Sequence, residues 1–336
     1  MIFQQNISLK KYNTFGIDAH AKNFAAVASV EDIIELLEHK DISKDELLIL
    51  GGGSNILFTR DVPGTVLKIE IPGIEIISEG NGDVYVKAGA GINWHSFVLY
   101  CLKHNYAGVE NLALIPGNIG ASPMQNIGAY GVELKDVFHS LDAVHINDKQ
   151  IISFNRDQCK FGYRDSVFKG ACKNQFIITS VTFLLSTKPV FQTSYAALQQ
   201  ELENSNKDLS IQSIAEAVMR IRNSKLPDPK IIGNAGSFFK NPTVSEEHYI
   251  QLKNAFPELS GHKTGNGYKL AAGWLIEQCG WKGYRNGDAG CHERQALVLV
   301  NYGIATGGEI LKLSNDIIES VFKIFKIKLE KEVNIF

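Results

Sequence analysis

The chain has 336 residues, enough for two or three domains, and its 44% hydrophobic and 21% charged content is that of a soluble globular protein with well-filled cores. A formal net charge of -2 gives no electrostatic ground for nucleic acid or an anionic membrane as partner. The five cysteines (Cys101, Cys159, Cys172, Cys279, Cys291) are odd in number and never spaced C-x-x-C, which argues against a disulfide framework or a zinc site and reads as reduced core thiols. No metal site is expected.

The N-terminal segment lacks the apolar region of a signal peptide, and no run reaches the ~20 apolar residues of a membrane helix, so a cytoplasmic protein is expected. Over the first ~70 residues, apolar runs at Phe24 to Val27, Leu47 to Leu50 and Val66 to Ile69 flank one amphipathic segment, Glu31 to His39. That pattern predicts strand, helix, strands. Directly after Leu50 comes Gly51-Gly52-Gly53-Ser54-Asn55, a glycine turn that brings backbone close to a ligand.

Strands dominate from about Ile71, at Val84 to Val86, Val137 to Ile146, Ile151 to Phe154 and Phe176 to Leu185, with a helix predicted from Trp94 to His104. Within this region Ile115 to Gly131, IPGNIGASPMQNIGAYG, packs four glycines among small, amide and hydroxyl residues without a charge. Consecutive NH groups in such turns form concave anion sites, and two uncharged cradles in one chain point to a diphosphate. Neither cradle carries the ending of a P-loop or the G-x-G-x-x-G of a Rossmann helix, and Gly89-Ala90-Gly91-Ile92-Asn93-Trp94 puts Trp94 where the third glycine belongs.

Apolar residues at Ile214, Ala217, Val218 and Ile221 predict a helix over Ile211 to Arg222, and Pro227 and Pro229 mark a domain boundary after it. Beyond the prolines, Lys269 to Trp281 reads as helix and Ala296 to Val300 as strand. Ile310, Leu313, Ile317 and Val321 share one face of a final helix. The alternating tail then places Leu329, Val333 and Ile335 on one face and Glu330, Glu332 and Asn334 on the other, so either glutamate could face a site. Taken alone, Arg164 reads as an ion-pair partner and Ser237 as a turn or cap serine.

Together, however, GGGSN, the IPGxxGxxPxQNIGAYG loop, GYRDSxFK, KLPDPK, GNAGSFFKNP, KLAAGWLIEQCG, HxxQALVLVN and a terminal LExEV occur in the order found in one family. From about Asn13 onward the chain resembles the UDP-N-acetylenolpyruvoylglucosamine reductases, type I subgroup. The resemblance implies an α+β protein with an FAD-binding PCMH-type fold, like that of vanillyl-alcohol oxidase: two α/β lobes plus a third, α+β substrate-binding domain. Lobe 1 is expected over 1–70, completed by 317–336, and lobe 2 over 71–220. The PCMH-type domain would span about 17–188, and the substrate domain 221–316.

The implied activity is NADPH-dependent reduction of the enolpyruvyl group of a UDP-sugar to UDP-N-acetylmuramate for peptidoglycan. FAD would rest on Gly51, Gly52, Gly53, Ser54 and Asn55 and on Pro116, Gly117, Gly120, Ala121, Ser122, Gln125, Asn126 and Gly128. No His or Cys lies between Lys40 and Lys87, which favours FAD held without a covalent link. By resemblance, Ser237 protonates the α carbon while Arg164 and Glu332 surround the carboxylate. The UDP portion would fall to Tyr163, Tyr195, Lys225, Asn241, Lys269 and Gln295. Relatives commonly end LEPEV plus a cation, where this chain has Lys331 and Asn334. A monomer is expected, with NADPH and the UDP-sugar as its small-molecule partners. The rival readings are another FAD oxidoreductase of this fold and a non-catalytic UDP-sugar or flavin binder; retention of Arg164, Ser237 and Glu332 together weighs against the second.

Overall fold

The computed structural model describes residues 2–40 and 42–336. The chain divides into two compact units, neither continuous in sequence. One comprises the residues up to Ile7, Ala21–Gly53 and Val62–Ser224; the other comprises Ser8–His20, Ser54–Asp61 and Lys225–Phe336.

The first unit carries two sheets. Four strands lie in the order Ile2–Ser8, His20–Val27, Val62–Ile69, Leu47–Leu50, the last three parallel. Parallel strands need a crossover. The amphipathic helix Val30–Glu38 supplies it, its first turn capped where Ser29 Oγ accepts the Asp32 N–H at 3.1 Å, and it buries Ile33, Leu36 and Leu37. The second sheet is antiparallel, in the order Ile151–Asn155, Phe138–His145, Phe176–Ser186, Asp83–Gly89, Ile74–Gly80. Two helices close one face of this sheet over a single core. Trp94 and Phe97 come from Trp94–Lys103, and Ile214, Ala217, Val218 and Ile221 from Ile211–Lys225. Phe97 lies 4.5 Å from Phe183 by ring centroids, and Trp94 donates its indole N–H to the Leu112 carbonyl at 2.9 Å. The residue that breaks the glycine fingerprint is thus a core anchor.

The second unit pairs strands in the order Gly233–Ser237, Val298–Asn301, Ala289–Cys291, Arg285–Asn286, with a three-stranded sheet Thr243–Val244, Gly267–Leu270, Gly261–Thr264. Its long helix, Gly307–Phe325, opens with a capping box between Thr306 and Glu309 and buries Ile310, Leu313, Ile317, Val321 and Phe325. Gly307 packs so tightly that a Cβ there would lie 1.7 Å from the Phe58 carbonyl oxygen.

Two elements differ from the sequence expectation. The helix expected over Lys269 to Trp281 is only Ala272–Gln278: Lys269 and Leu270 end a strand, where the Leu270 N–H reaches the Pro242 carbonyl at 2.9 Å. In the tail, Leu329 and Val333 are buried as the alternation requires, but Ile335 is 38% exposed and only Asn334–Ile335 is regular strand, paired in parallel with Ile56–Leu57.

Candidate functional site

In the first unit the two glycine-rich loops meet. A Cβ on Gly52 would lie 2.9 Å from Gly117 Cα and 3.0 Å from Asn118 Oδ1, so main chain approaches main chain there and no side chain can intervene. Gly120 sits as closely on Ala90, and the loop is pinned to the Gly89–Asn93 turn where Ile119 and Gly120 donate to the carbonyls of Ile92 and Ala90 at 2.8 and 3.0 Å. Gly51, Gly52, Gly117, Gly120, Gln125 and Gly128 are half-buried, whereas Pro116 and Ala121 are exposed and Gly53 is buried. What the cradle offers is peptide and amide groups without charge. That donor set fits a diphosphate group such as that of FAD. Ser122 and Asn126 are buried and their side chains bond other protein groups. Ser122 donates to the Ile119 carbonyl at 2.7 Å, while the Asn126 amide donates to Gly162 O and Glu133 Oε2 at 3.0 and 3.1 Å and accepts the Lys135 N–H at 3.0 Å.

The Tyr163–Ser166 turn is docked on the same loop. Besides the Asn126 bond, Ser166 Oγ donates to Met124 O at 2.7 Å and Arg164 Nη2 donates to Gly128 O at 2.8 Å. Arg164 holds a left-handed φ of 52° and lies over the Tyr163 ring, 5.7 Å from its centroid. Tyr195, 50% exposed, meets Tyr130 edge-on at 5.3 Å, and Tyr130 itself belongs to the loop. The structure therefore gathers Arg164, Tyr163, Tyr195 and the residues from Pro116 to Gly128 into one unit.

Ser54, Asn55, Lys225, Ser237, Asn241, Lys269, Gln295 and Glu332 belong to the other. Here Glu332 and Ser237 come together through backbone: the Glu332 N–H donates to Phe238 O at 2.8 Å, next to Ser237, which pairs with Val298. Asn55 Nδ2 reaches Glu332 O at 3.3 Å, and the Asn55 carbonyl accepts both the backbone N–H and the side-chain amide of Asn334, at 3.1 and 2.9 Å. Ser237 is half-buried, and its hydroxyl bonds no other group among the described residues. Gly236 before it takes a φ of 68°, held by Asn234, whose Oδ1 accepts the Gly236 N–H at 2.9 Å while its Nδ2 donates to Ile232 O at 2.8 Å.

A second group forms at the start of Ala272–Gln278. Asn241 Oδ1 accepts the Ala272 N–H at 2.9 Å, Gln295 Oε1 lies where a Cβ on Gly273 would meet it at 2.8 Å, and Lys269 faces Thr243 across the strand pair. Lys225, by contrast, stands exposed at the end of its helix. Glu330 turns outward to Lys240 at 3.2 Å, and Lys331 Nζ is taken by Asn315 at 2.6 Å.

Sequence reasoning missed Asn234, which sets the Ser237 turn, and Arg222, a half-buried cation with a buried Nε in the last turn of the helix that ends the first unit. Asn234 stood inside a quoted motif but carries no reactive group, and Arg222 reads as a solvated helix position. Among the described residues no group of His, Cys, Asp and Glu could hold a metal ion.

Comparison with known proteins places these features in context. The family described as FAD binding domain matches residues 21–154, and the C-terminal domain of UDP-N-acetylenolpyruvoylglucosamine reductase matches 228–336. The chain is 50% identical to UDP-N-acetylenolpyruvoylglucosamine reductase of Amoebophilus asiaticus, over 100% of this chain and 99% of that one. It is 48% identical to the enzyme of that name from Flavobacterium johnsoniae, over the full length of both. Its fold matches the crystal structure of UDP-N-acetylenolpyruvylglucosamine reductase from Thermus caldophilus, with a TM-score of 0.71, 23% identity and complete coverage of both chains.

Proposed function

The chain belongs to the UDP-N-acetylenolpyruvoylglucosamine reductase family, and we propose that Arg164, Ser237 and Glu332 carry the chemistry of its reaction. The protein is an FAD-containing oxidoreductase of PCMH-type fold that uses NADPH to reduce the enolpyruvyl group of UDP-N-acetyl-3-O-(1-carboxyvinyl)-glucosamine, giving UDP-N-acetylmuramate for peptidoglycan synthesis. When bound, FAD supplies a hydride carrier between NADPH and the vinyl β carbon. Gly51 to Asn55 and Pro116 to Gly128 are the residues that would hold it. The assignment of 1–70 with 317–336 and 71–220 to the FAD lobes, and of 221–316 to the substrate, belongs to this reading.

Hydride addition at the β carbon leaves an electron pair on the α carbon, delocalised into the carboxylate. The residues must stabilise that charge and then deliver a proton. A planar guanidinium answers the first need because it can donate two parallel bonds to a carboxylate, which is the role of Arg164. Ser237 Oγ–H answers the second by giving its proton to the α carbon. Glu332, protonated or through water, adds a hydrogen bond to the carboxylate. Tyr163, Tyr195, Lys225, Asn241, Lys269 and Gln295 bind the UDP portion, with Asn241 and Gln295 contributing from one helix start.

The observation that most supports this reading is the joining of Ser237 and Glu332 through the Phe238 carbonyl, since two residues far apart in sequence are fixed on adjacent backbones, and the Ser237 hydroxyl has no competing partner among the described residues. Stopped-flow absorbance tests it. In Ser237→Ala the recovery of the oxidised flavin band on adding the enolpyruvyl substrate should slow by about 10²-fold or more, the usual worth of a positioned acid, while bleaching by NADPH stays within about threefold. Equal slowing of both phases sinks the assignment. The reading also carries a cytoplasmic monomer that acts without nucleic acid or membrane; light scattering of the purified protein checks the monomer.

A further inference from the structure

The strand that carries Ser237 is irregular at one point, and one side chain accounts for it. Asn234 stands opposite Val300 and Ser237 opposite Val298, so Ala235 and Gly236 share the single place opposite Leu299. That is a β-bulge, a device that re-aims the side chains around it. Without the extra residue Ser237 would turn to the other face of its strand. The bulge needs Gly236 at its φ of 68°, and since a Cβ there would meet nothing within 4 Å, the demand on glycine is one of conformation and not of space.

Asn234 is 4% exposed, and both ends of its amide are engaged. Oδ1 accepts the Gly236 N–H at 2.9 Å, while Nδ2 donates to the carbonyls of Ile232 and Pro227 at 2.8 and 3.2 Å. The amide fits one way round only: reversed, it would set its oxygen against two carbonyls and its NH2 against an N–H. The backbone is gripped as well. The Asn234 N–H reaches Thr14 O at 3.0 Å, and a Cβ on Gly233 would lie 2.3 Å from Phe15 O.

The far end of the amide is equally firm. Pro227 and Ile232 bound a turn closed by Asp228, whose carbonyl accepts the N–H groups of Ile231 and Ile232 at 2.9 and 3.0 Å and whose carboxylate accepts that of Lys230 at 2.9 Å. One buried amide thus braces the bulge against a turn that is itself fixed. Taking the amide away would strand the Gly236 N–H and two carbonyls together, which is the costly way to lose hydrogen bonds.

We infer that Asn234 is a positioning residue of the reaction: by bracing the Gly236 bulge against the 227–232 turn it fixes where the Ser237 hydroxyl delivers its proton. The inference rests on the reading of Ser237 given above and adds the residue through which the fold aims that hydroxyl.

Stopped flow on the flavin-loaded enzyme tests it with Asn234→Ala, Ser237→Ala, their double variant and Asn234→Asp, each checked for folding by circular dichroism. In Asn234→Ala the limiting rate of flavin reoxidation by saturating enolpyruvyl substrate should fall by about tenfold or more, the cost of misplacing a reacting group, with bleaching by NADPH within about threefold of wild type. Because Asn234 works through Ser237, the double variant should reoxidise within about threefold of Ser237→Ala alone. The carboxyl of Asn234→Asp keeps the acceptor for Gly236 but, when ionised, turns its charge on two carbonyls, so the acid form is favoured and restores one donor. Asn234→Asp should therefore outperform Asn234→Ala, and its deficit relative to wild type should shrink as pH falls.

Four results would each overturn the proposal: reoxidation in Asn234→Ala within about threefold of wild type, equal slowing of both phases, full multiplication of the two losses in the double variant, or an Asn234→Asp no faster than Asn234→Ala at every pH. Should Asn234→Ala not fold, Asn234→Asp at high pH takes its place in the comparison. The Ser237→Ala arm separates the two readings. If it slows reoxidation selectively while Asn234→Ala does not, the role of Asn234 alone falls; if it does not, the role of Ser237 falls and that of Asn234 with it.

Discussion

Glu330 and Glu332 are equivalent in the sequence, two residues apart on the same face of an alternating tail. Packing separates them: Glu330 has a side chain 75% exposed and an ion pair to Lys240, whereas Glu332 is half-buried and tied by its own peptide to Phe238. An exposed pair contributes about 0–1 kcal/mol. Glu330→Gln should therefore leave both kinetic phases within about twofold, while Glu332→Gln reproduces the selective slowing of Ser237→Ala; stopped flow on the pair of variants checks it. The cysteines give a second prediction. Burial pushes the Cys101 thiol far up and those of Cys159 and Cys291 to about 12, so thiolate is scarce at neutral pH, while Cys172 and Cys279 are only half-buried. A thiol-specific chromophore should label Cys172 and Cys279 in the native protein and all five in denaturant; labelling of Cys101, Cys159 or Cys291 in the folded state would contradict it. That the cysteines are unpaired was legible from their scatter, but a core position holds only for Cys101, Cys159 and Cys291. The roles proposed for Arg164, Ser237 and Glu332 rest on the motifs around them, because a single polar residue has the same periodicity whether it serves a turn or a substrate. Arg222 was not legible, since a helix pattern assigns charge to solvent.

Among the elements, strands with apolar runs stood out in the sequence because both of their faces are buried, as over Ile177 to Phe183 within Phe176–Ser186. Short strands such as Thr243–Val244 and Arg285–Asn286 did not: two residues carry no period, and their pairing is decided by partners distant in the chain. The overlong helix at Lys269 has the same origin, since the Pro242 carbonyl competes for the Leu270 N–H. The glycine cradles were legible as loops for backbone approach, but not which glycine makes the approach. A Cβ on Gly51 would find its nearest neighbours at an ordinary 3.8 Å, whereas on Gly52 it would strike main chain. Gly52→Ala should cost about 1–3 kcal/mol, the usual penalty of overpacking, and weaken flavin retention, while Gly51→Ala stays within about 0.5 kcal/mol. Thermal melts with flavin absorbance on both variants check it; equal behaviour would mean that the two loops separate easily.

At the scale of the molecule, each unit is assembled from separated stretches of chain, and this was the part least visible in sequence. The proline pair at Pro227 and Pro229 stands just past the passage from Ser224 to Lys225, but nothing in the composition of Ser8–His20 or Ser54–Asp61 assigns them to a unit whose bulk begins at Lys225. The join is made by close contacts such as Gly307 against the Phe58 carbonyl. Gly307→Ala should destabilise the protein by about 2–3 kcal/mol because backbone oxygen cannot yield. At the neighbouring position, Gly308→Ala meets nothing closer than 3.9 Å and should be neutral or, by removing a flexible helix residue, stabilising by about 0.5–1 kcal/mol. Denaturant melts of the two variants decide it.

That three-part assembly also sets an order of events during synthesis. Phe15 and Phe58, both buried within the second unit, leave the ribosome long before the helix that begins at Gly307 exists to cover Phe58 or Phe238 exists to meet Phe15. Until then these rings stand open on the nascent chain, and they are the places where a chaperone that holds unfolded polypeptide would first take grip.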